Sequence, residues 1–327
     1  MSATQRQKSA LAAIDLLPRP RRPWRVIAIS VAAGILLAVL WSYELVDKVI
    51  GDNVANALLG HDAKGTAIGG TIAGLLFAFV SGLAGTFTAC NIAMAASIGP
   101  MSHASGAASS AAAASRPQPL PAAERGPSVA ALLRPIGWLA LGMVIVSGVY
   151  GFVGVLLGER LPQLSTETAG GVPVRLIQSS VVFGIIGLAF VYLGLAALKV
   201  VPDPFAQRPV GRVVALGALV GGFLIGRPYP LFNKLFHWAV DTGNPIYGAG
   251  AFILQSLGNI AIVAMLFALA IVASRGGFLR WLAGSPSRTV LITGSLLLAL
   301  GVFTVVYWDV RVPSMFGIGW FPRMPYN

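Results

Sequence analysis

Seven stretches of about 20 or more apolar residues recur along this 327-residue chain, at roughly residues 25–45, 68–98, 134–157, 175–198, 212–235, 248–273 and 289–308. A helix of about 20 residues crosses the hydrocarbon core of a bilayer, and inside that core every backbone polar group needs an internal partner. A chain of this kind therefore solves its backbone problem as a bundle of spanning helices. Composition excludes the alternative, because 56% hydrophobic residues, 10% charged residues and a mean hydropathy of +0.79 leave too little polar surface for a water-soluble globule. The expected fold is an all-α polytopic membrane protein with about seven transmembrane helices.

The net charge of +12 does not point to nucleic acid, since the basic residues follow the connections between the apolar stretches. Arg6, Lys8, Arg19, Arg21, Arg22 and Arg25 precede the first stretch. Arg116, Arg125 and Arg134 follow the second, Lys199, Arg208 and Arg212 the fourth, and Arg275, Arg280 and Arg288 the sixth. The opposite side holds only Lys48, Lys64, Arg160, Arg175, Lys234, Arg311 and Arg323. The positive-inside rule then predicts an N-terminus on the cytoplasmic side and a C-terminus on the extracytoplasmic side. The first apolar run is too long for the core of a signal peptide, and the small-residue site Ala55-Asn-Ala57 lies well beyond its end, so an uncleaved anchor is expected.

Two of the stretches are interrupted at corresponding places. Ser81-Gly-Leu-Ala-Gly-Thr-Phe-Thr-Ala-Cys90-Asn91 breaks the second near Gly85 or Cys90, and Gly221-Gly-Phe-Leu-Ile-Gly-Arg-Pro-Tyr229-Pro breaks the fifth. Gly- and Pro-interrupted helices in matching halves are where membrane carriers place their sites. The first stretch, 25–45, stands apart behind a basic segment at 1–24. The other six form two runs of three, 68–198 and 212–308, each with a broken helix, a small-residue helix and a Gly- and Leu-rich helix. An odd number of spans per run makes the two halves inverted repeats. The Ala-, Ser- and Pro-rich loop 102–128 is expected to be disordered, and 309–327 reads as an aromatic tail lying along the outer interface.

This plan resembles the membrane domain of the cytochrome c biogenesis and thiol-disulfide interchange family, the CcdA and DsbD type. The likeness rests on Val214-Ala-Leu-Gly-Ala-Leu-Val-Gly-Gly-Phe-Leu-Ile-Gly-Arg-Pro228, which looks like that family's Gly-rich lead into a Pro-Cys turn. Gly243-Asn-Pro-Ile-Tyr-Gly-Ala-Gly-Ala-Phe-Ile-Leu-Gln-Ser-Leu-Gly258 looks like its following loop and helix. The resemblance implies a bacterial-type inner membrane and, within it, a conductor of reducing equivalents with one redox cysteine in each repeat. Here the first position holds Cys90 and the second holds Tyr229, so the pair is degenerate. A phenol cannot take a thiol's place in disulfide exchange. Cys90 is the chain's single thiol and remains a candidate for mixed disulfides with a partner protein.

Arg227 is the other strong candidate, because a guanidinium in an apolar span marks a pathway, an ion pair or a bound anion unless it snorkels beside Lys234 and His237. Asn91, Tyr229, Gln255 and Asn259 complete the candidate binding set, with packing between helices as the plainer role for Gln255 and Asn259. No metal-ligand spacing and no phosphate loop occurs in the sequence, so no metal or cofactor is expected. Three functions fit: a thiol or electron conductor working with membrane or extracytoplasmic partners, a small-solute or oxyanion transporter using Arg227, and a structural subunit of a membrane complex.

Overall fold

The computed structural model describes residues 23–86, 129–206, 208–273, 286–322 and 324. The protein is an all-α polytopic membrane protein. Helix α1 is Pro23–Leu40, followed by a π-helical turn Glu44–Gly51 that runs into α2, Asp52–Leu59. Helix α3 is Gly70–Ala84, α4 Val129–Leu157, α5 Val174–Ala197, α6 Pro209–Gly226, α7 Pro230–Asp241, α8 Pro245–Ala273 and α9 Pro286–Val305. A second π-helical turn, Val306–Arg311, carries α9 on into the short α10, Val312–Met315. The one piece of sheet among the described residues is an antiparallel hairpin, β1 Thr168–Ala169 and β2 Val172–Pro173, with Thr168 opposite Pro173. Its two-residue turn is Gly170-Gly171, both at positive φ, as such tight turns require.

Five helices among the described residues are long and apolar enough to cross a membrane, and α6 with α7 makes a sixth if both arms belong to one span. The expected span 212–235 is thus two helices meeting at 84°. Arg227 and Tyr229 each precede a proline, whose ring pushes the preceding residue out of the helical region, and both are extended, with ψ of 115° and 129°. Only the first half of the expected span 68–98 lies within the described residues. Helix α3 ends at Ala84 with Gly85 as its C-cap, at the first of the two expected break positions, while the other, Cys90, lies with Asn91 and the loop 102–128 outside the described residues.

Two boundaries need correction. The tail expected from Asp309 starts later, because the helical path continues to Met315 through the π-helical turn. That turn frees the carbonyl of Trp308, which accepts a hydrogen bond from Ser180 Oγ at 3.0 Å. The first helix, expected over 25–45, stops at Leu40. Beyond it lies an element the sequence reading passed over as loop, the amphipathic strap Glu44–Leu59.

Helix packing relates the two halves by an exchange of roles. An added Cβ at Gly82 of α3 would lie 2.0 Å from the carbonyl oxygen of Gln255 on α8, and one at Gly258 would lie 2.2 Å from that of Phe79. The same i, i+3 arrangement joins α6 to α4, where an added Cβ at Gly217 would lie 2.0 Å from Leu139 O and one at Gly142 would lie 2.1 Å from Val214 O. Helix α5 meets α9 reciprocally, at Gly187 with Gly301 and at Gly194 with Gly294. These contacts pack through small residues, the device that lets backbones touch where burial from water supplies no drive. Ser147 and Ser256 share a buried hydrogen bond where α4 crosses α8.

Helix α1 packs on α9. Its last turn carries no basic residue of its own. Arg311, 1% exposed, supplies one from the other end of the chain: Nη1 donates to the carbonyls of Ala38, Val39 (3.1 Å) and Trp41 (2.8 Å). A cation on the last carbonyls of a helix complements the helix dipole.

Candidate functional site

Four chain segments converge at the strap end of the bundle: the strap, the C-terminus of α3, the break between α6 and α7, and the π-helical turn after α9. The carbonyl of Gly85, left over at the end of α3, accepts a hydrogen bond from Arg227 Nη1 at 2.8 Å. Arg227 Nη2 forms an ion pair with Asp47 Oδ1 from the strap. Beneath the guanidinium lie the rings of Tyr229 and Phe232, with centroids 4.7 and 5.4 Å from Cζ. Arg227 is 8% exposed, so it does not snorkel. Its own carbonyl accepts from Gln163 Nε2 at 3.4 Å, and the same amide donates to Asn233 Oδ1 at 2.6 Å. The break is therefore held on both sides, with its freed backbone buried in protein as the membrane interior demands.

Lys234, one turn beyond the break, is not at an interface with a free head group. Its Nζ donates to the carbonyls of Ala63 (2.7 Å), Lys64 (3.1 Å) and Thr66, tying down the connection between the strap and α3.

Next to Arg227 lies a partly enclosed cavity of about 500 Å³. Its body is aromatic. Phe183 stacks on Trp308 at 4.2 Å between centroids and packs against Phe223 at 5.0 Å, while Phe303 stacks on Tyr307 at 5.6 Å and meets Trp41 edge-on at 5.5 Å. Its charged wall consists, among the described residues, of Asp47, Lys64, Arg175 and Arg227.

The sequence candidates divide on this geometry. Arg227 and Asn259 line the cavity, and the carbonyl of Asn259 accepts from Thr86 Oγ1 at 3.2 Å, joining α8 to the end of α3. Tyr229 is packed behind the wall, 1% exposed. Its hydroxyl lies over Gly51, whose added Cβ would fall 2.6 Å from that oxygen and 3.4 Å from the carbonyl of Ala84. The Tyr229 hydroxyl has no hydrogen-bond partner among the described residues. Gln255 is fully buried away from the cavity, with Nε2 3.3 Å from Ser81 Oγ in the α3–α8 contact. Cys90 and Asn91 lie outside the described residues.

No protein-family model matches this chain, nor does any curated protein or solved structure. The site therefore has to be read from its own chemistry. Among the described residues no group of three or more His, Cys, Asp or Glu is placed to hold a metal ion. The arrangement offers one buried guanidinium, shared between the Gly85 carbonyl and the Asp47 carboxylate, facing an aromatic chamber. Such a group can receive an anion if Asp47 gives way.

Sequence reasoning missed Asp47, Arg175, Trp41 and the aromatic residues of α5, α6 and α9. A signal for Asp47 was present: Leu45, Val46, Val49, Ile50 and Val54 recur at helical spacing between charged and polar residues, the mark of an amphipathic helix. The aromatic residues had no such mark, because a Phe in a spanning helix looks the same whether it faces lipid or a chamber.

Proposed function

We propose that this chain is a small-solute carrier of a bacterial-type cytoplasmic membrane, with its N-terminus inside and its site in the cavity beside Arg227. The observation that carries the reading is that two helix ends, Gly85 of α3 and Arg227 of α6, meet in the wall of that cavity. Broken helices at such a meeting point supply backbone groups and a charge that no continuous helix offers, and rocking of one repeat against the other gives alternating access. The guanidinium favours anionic substrates. In proteoliposomes, uptake across a panel of small carboxylates and sulfur oxyanions is expected for at least one solute, falling about tenfold or more in Arg227→Ala. Absence of uptake of every anion, or unchanged uptake in both Arg227→Ala and Arg227→Lys, removes the reading.

A second reading keeps the thiol-conductor resemblance and is favoured by Tyr229. The resemblance implies that this residue stands at the family's second cysteine position, and its hydroxyl faces Gly51 beside the carbonyl of Ala84, six residues before Cys90. On this reading Cys90 exchanges with the thiol of a partner protein. Acid-quenched membranes treated with an alkylating agent are expected to hold Cys90-linked mixed disulfides. Their absence, with full function in Cys90→Ser, eliminates it.

A further inference from the structure

The geometry points to an amphiphilic organic anion as the occupant of the cavity: a flat or single-chain apolar body seated among the aromatic rings, and one carboxylate-sized head that displaces Asp47 from Arg227. This deepens the carrier reading and rests on it for its biological sense, although the binding itself does not depend on transport.

Size, lining and charge lead to this class separately. A volume of about 500 Å³ falls within the roughly 300–1,000 Å³ of sites for single small organic molecules, far more than an inorganic oxyanion fills. Inorganic anions also gain nothing from aromatic walls, whereas Phe183, Phe223, Phe303 and Trp308 present ring faces and edges to a hydrocarbon or aromatic body. The charged wall is unbalanced. Lys64, Arg175 and Arg227 line it against the single carboxylate of Asp47. Lys64 is paired outward with Asp52, whereas the Arg175 side chain, on the first turn of α5 at the mouth, has no ion-pair partner among the described residues. A cationic mouth over an apolar chamber suits an anion that carries its own apolar body, and rejects a cationic or zwitterionic one.

Asp47 then has a defined part. It reaches Arg227 from the strap rather than from the bundle, so the ion pair closes the chamber by an element that is joined to α1 through the unwound residues Trp41 and Ser42. A ligand head competing for the same guanidinium releases Asp47, and the strap with it. The carboxylate occupies the anion position in the empty protein and keeps the arginine paired between turnovers.

The test uses the full chain in lipid nanodiscs and two brominated probes, 10-bromodecanoate and 4-bromobenzoate, which quench tryptophan fluorescence on contact. Trp41 and Trp308 line the chamber, so a saturable quenching component is expected above the linear one from lipid-phase probe, and Trp41→Phe combined with Trp308→Phe should remove it. Arg227→Gln should weaken the saturable component at least tenfold. Asp47→Asn, which removes the competitor, should tighten it about tenfold. Should Arg227→Gln fail to fold, Arg175→Gln at the exposed mouth is expected to weaken binding severalfold, and Leu176→Phe to block it by filling the chamber. Saturation by bromodecanoate alone marks a membrane-phase ligand, and by bromobenzoate alone a soluble aromatic one. Either supports the inference.

Equal saturable quenching by the neutral 10-bromodecanol overturns it, as does the absence of a saturable component for both anions, or an affinity unmoved by Asp47→Asn. Quenching is read without a gradient, so the two proposals fail separately. Binding without uptake removes the carrier and leaves the site. Uptake of sulfate without quenching leaves the carrier and removes the amphiphile.

Discussion

Gly82 and Gly217 provide the most exacting test of the architecture, because each is the close-contact glycine of one half of the exchanged packing. An alanine Cβ at either would stand 2.0 Å from a backbone carbonyl oxygen, about 1.4 Å inside ordinary contact, and the atom met is main chain that cannot swing aside. The helix pair has to separate, giving up contacts along its length. Small-to-large changes in packed interiors cost about 1–3 kcal/mol, and Gly82→Ala and Gly217→Ala are each expected to fall in the upper part of that range. The alanine also gains about 1 kcal/mol in helix propensity, which partly masks the loss. Controls isolate the steric part. Gly137 in α4 and Gly250 in α8 meet nothing within 4 Å, so alanine there keeps the propensity gain and is expected to be neutral or stabilising by up to about 1 kcal/mol. Because α3–α8 and α4–α6 share no contact glycine, the double variant Gly82→Ala/Gly217→Ala should equal the sum of the singles within about 0.5 kcal/mol. Reversible unfolding in mixed micelles, followed by tryptophan fluorescence, measures all five proteins. If the two contact variants cost no more than the two controls, the close approach of these backbones, and with it the exchanged packing of the repeats, is wrong.

Arg311→Gln leaves three carbonyls at the end of α1 without their charged donor and is expected to cost about 2–4 kcal/mol in the same assay; a loss below about 1 kcal/mol refutes the cap. Tyr229→Phe deletes a buried hydroxyl without a partner among the described residues and should leave stability unchanged or raise it by about 1 kcal/mol, so a loss of similar size would reveal an unseen bond. Tyr229→Cys tests the thiol reading directly: mild oxidation should crosslink it to Cys90, detected by thiol counting, and two persistent free thiols under membrane-permeant oxidant count against that reading. Topology is checked in a Cys90→Ser background by impermeant maleimide. Ser109→Cys should be protected from outside and Thr168→Cys labelled, and the reverse at either position sinks the assignment.

Apolar length and glycine placement made most of the bundle readable in advance. Runs of 20 apolar residues allow little but spanning helices, and Pro228 and Pro230 force the break at Arg227 and Tyr229 whatever surrounds them. The strap was harder, because Glu44–Leu59 is short, half polar and begins in a π-helical turn. Arg227 was legible as costly, but its partner was not: Asp47 lies 180 residues away, and nothing local ties a carboxylate in one connection to a guanidinium in a distant break. Arg311 was counted with the outer loops because it follows an apolar run. Its burial depends on a helical path through Val306–Arg311 that no periodicity announces.

The hydrogen bonds from Arg311 also set an order of events in biosynthesis. The carbonyls of Ala38, Val39 and Trp41 leave the ribosome about 270 residues before the side chain that serves them. At a synthesis rate of roughly 5–20 residues per second, the first helix therefore spends on the order of ten seconds or more in the membrane with its end held only by water, head groups or an insertion factor. The first helix of the described residues becomes one of the last to have its end capped, and a product truncated before residue 311 would keep the α1–α9 contact while lacking the side chain that holds the carbonyls of Ala38, Val39 and Trp41.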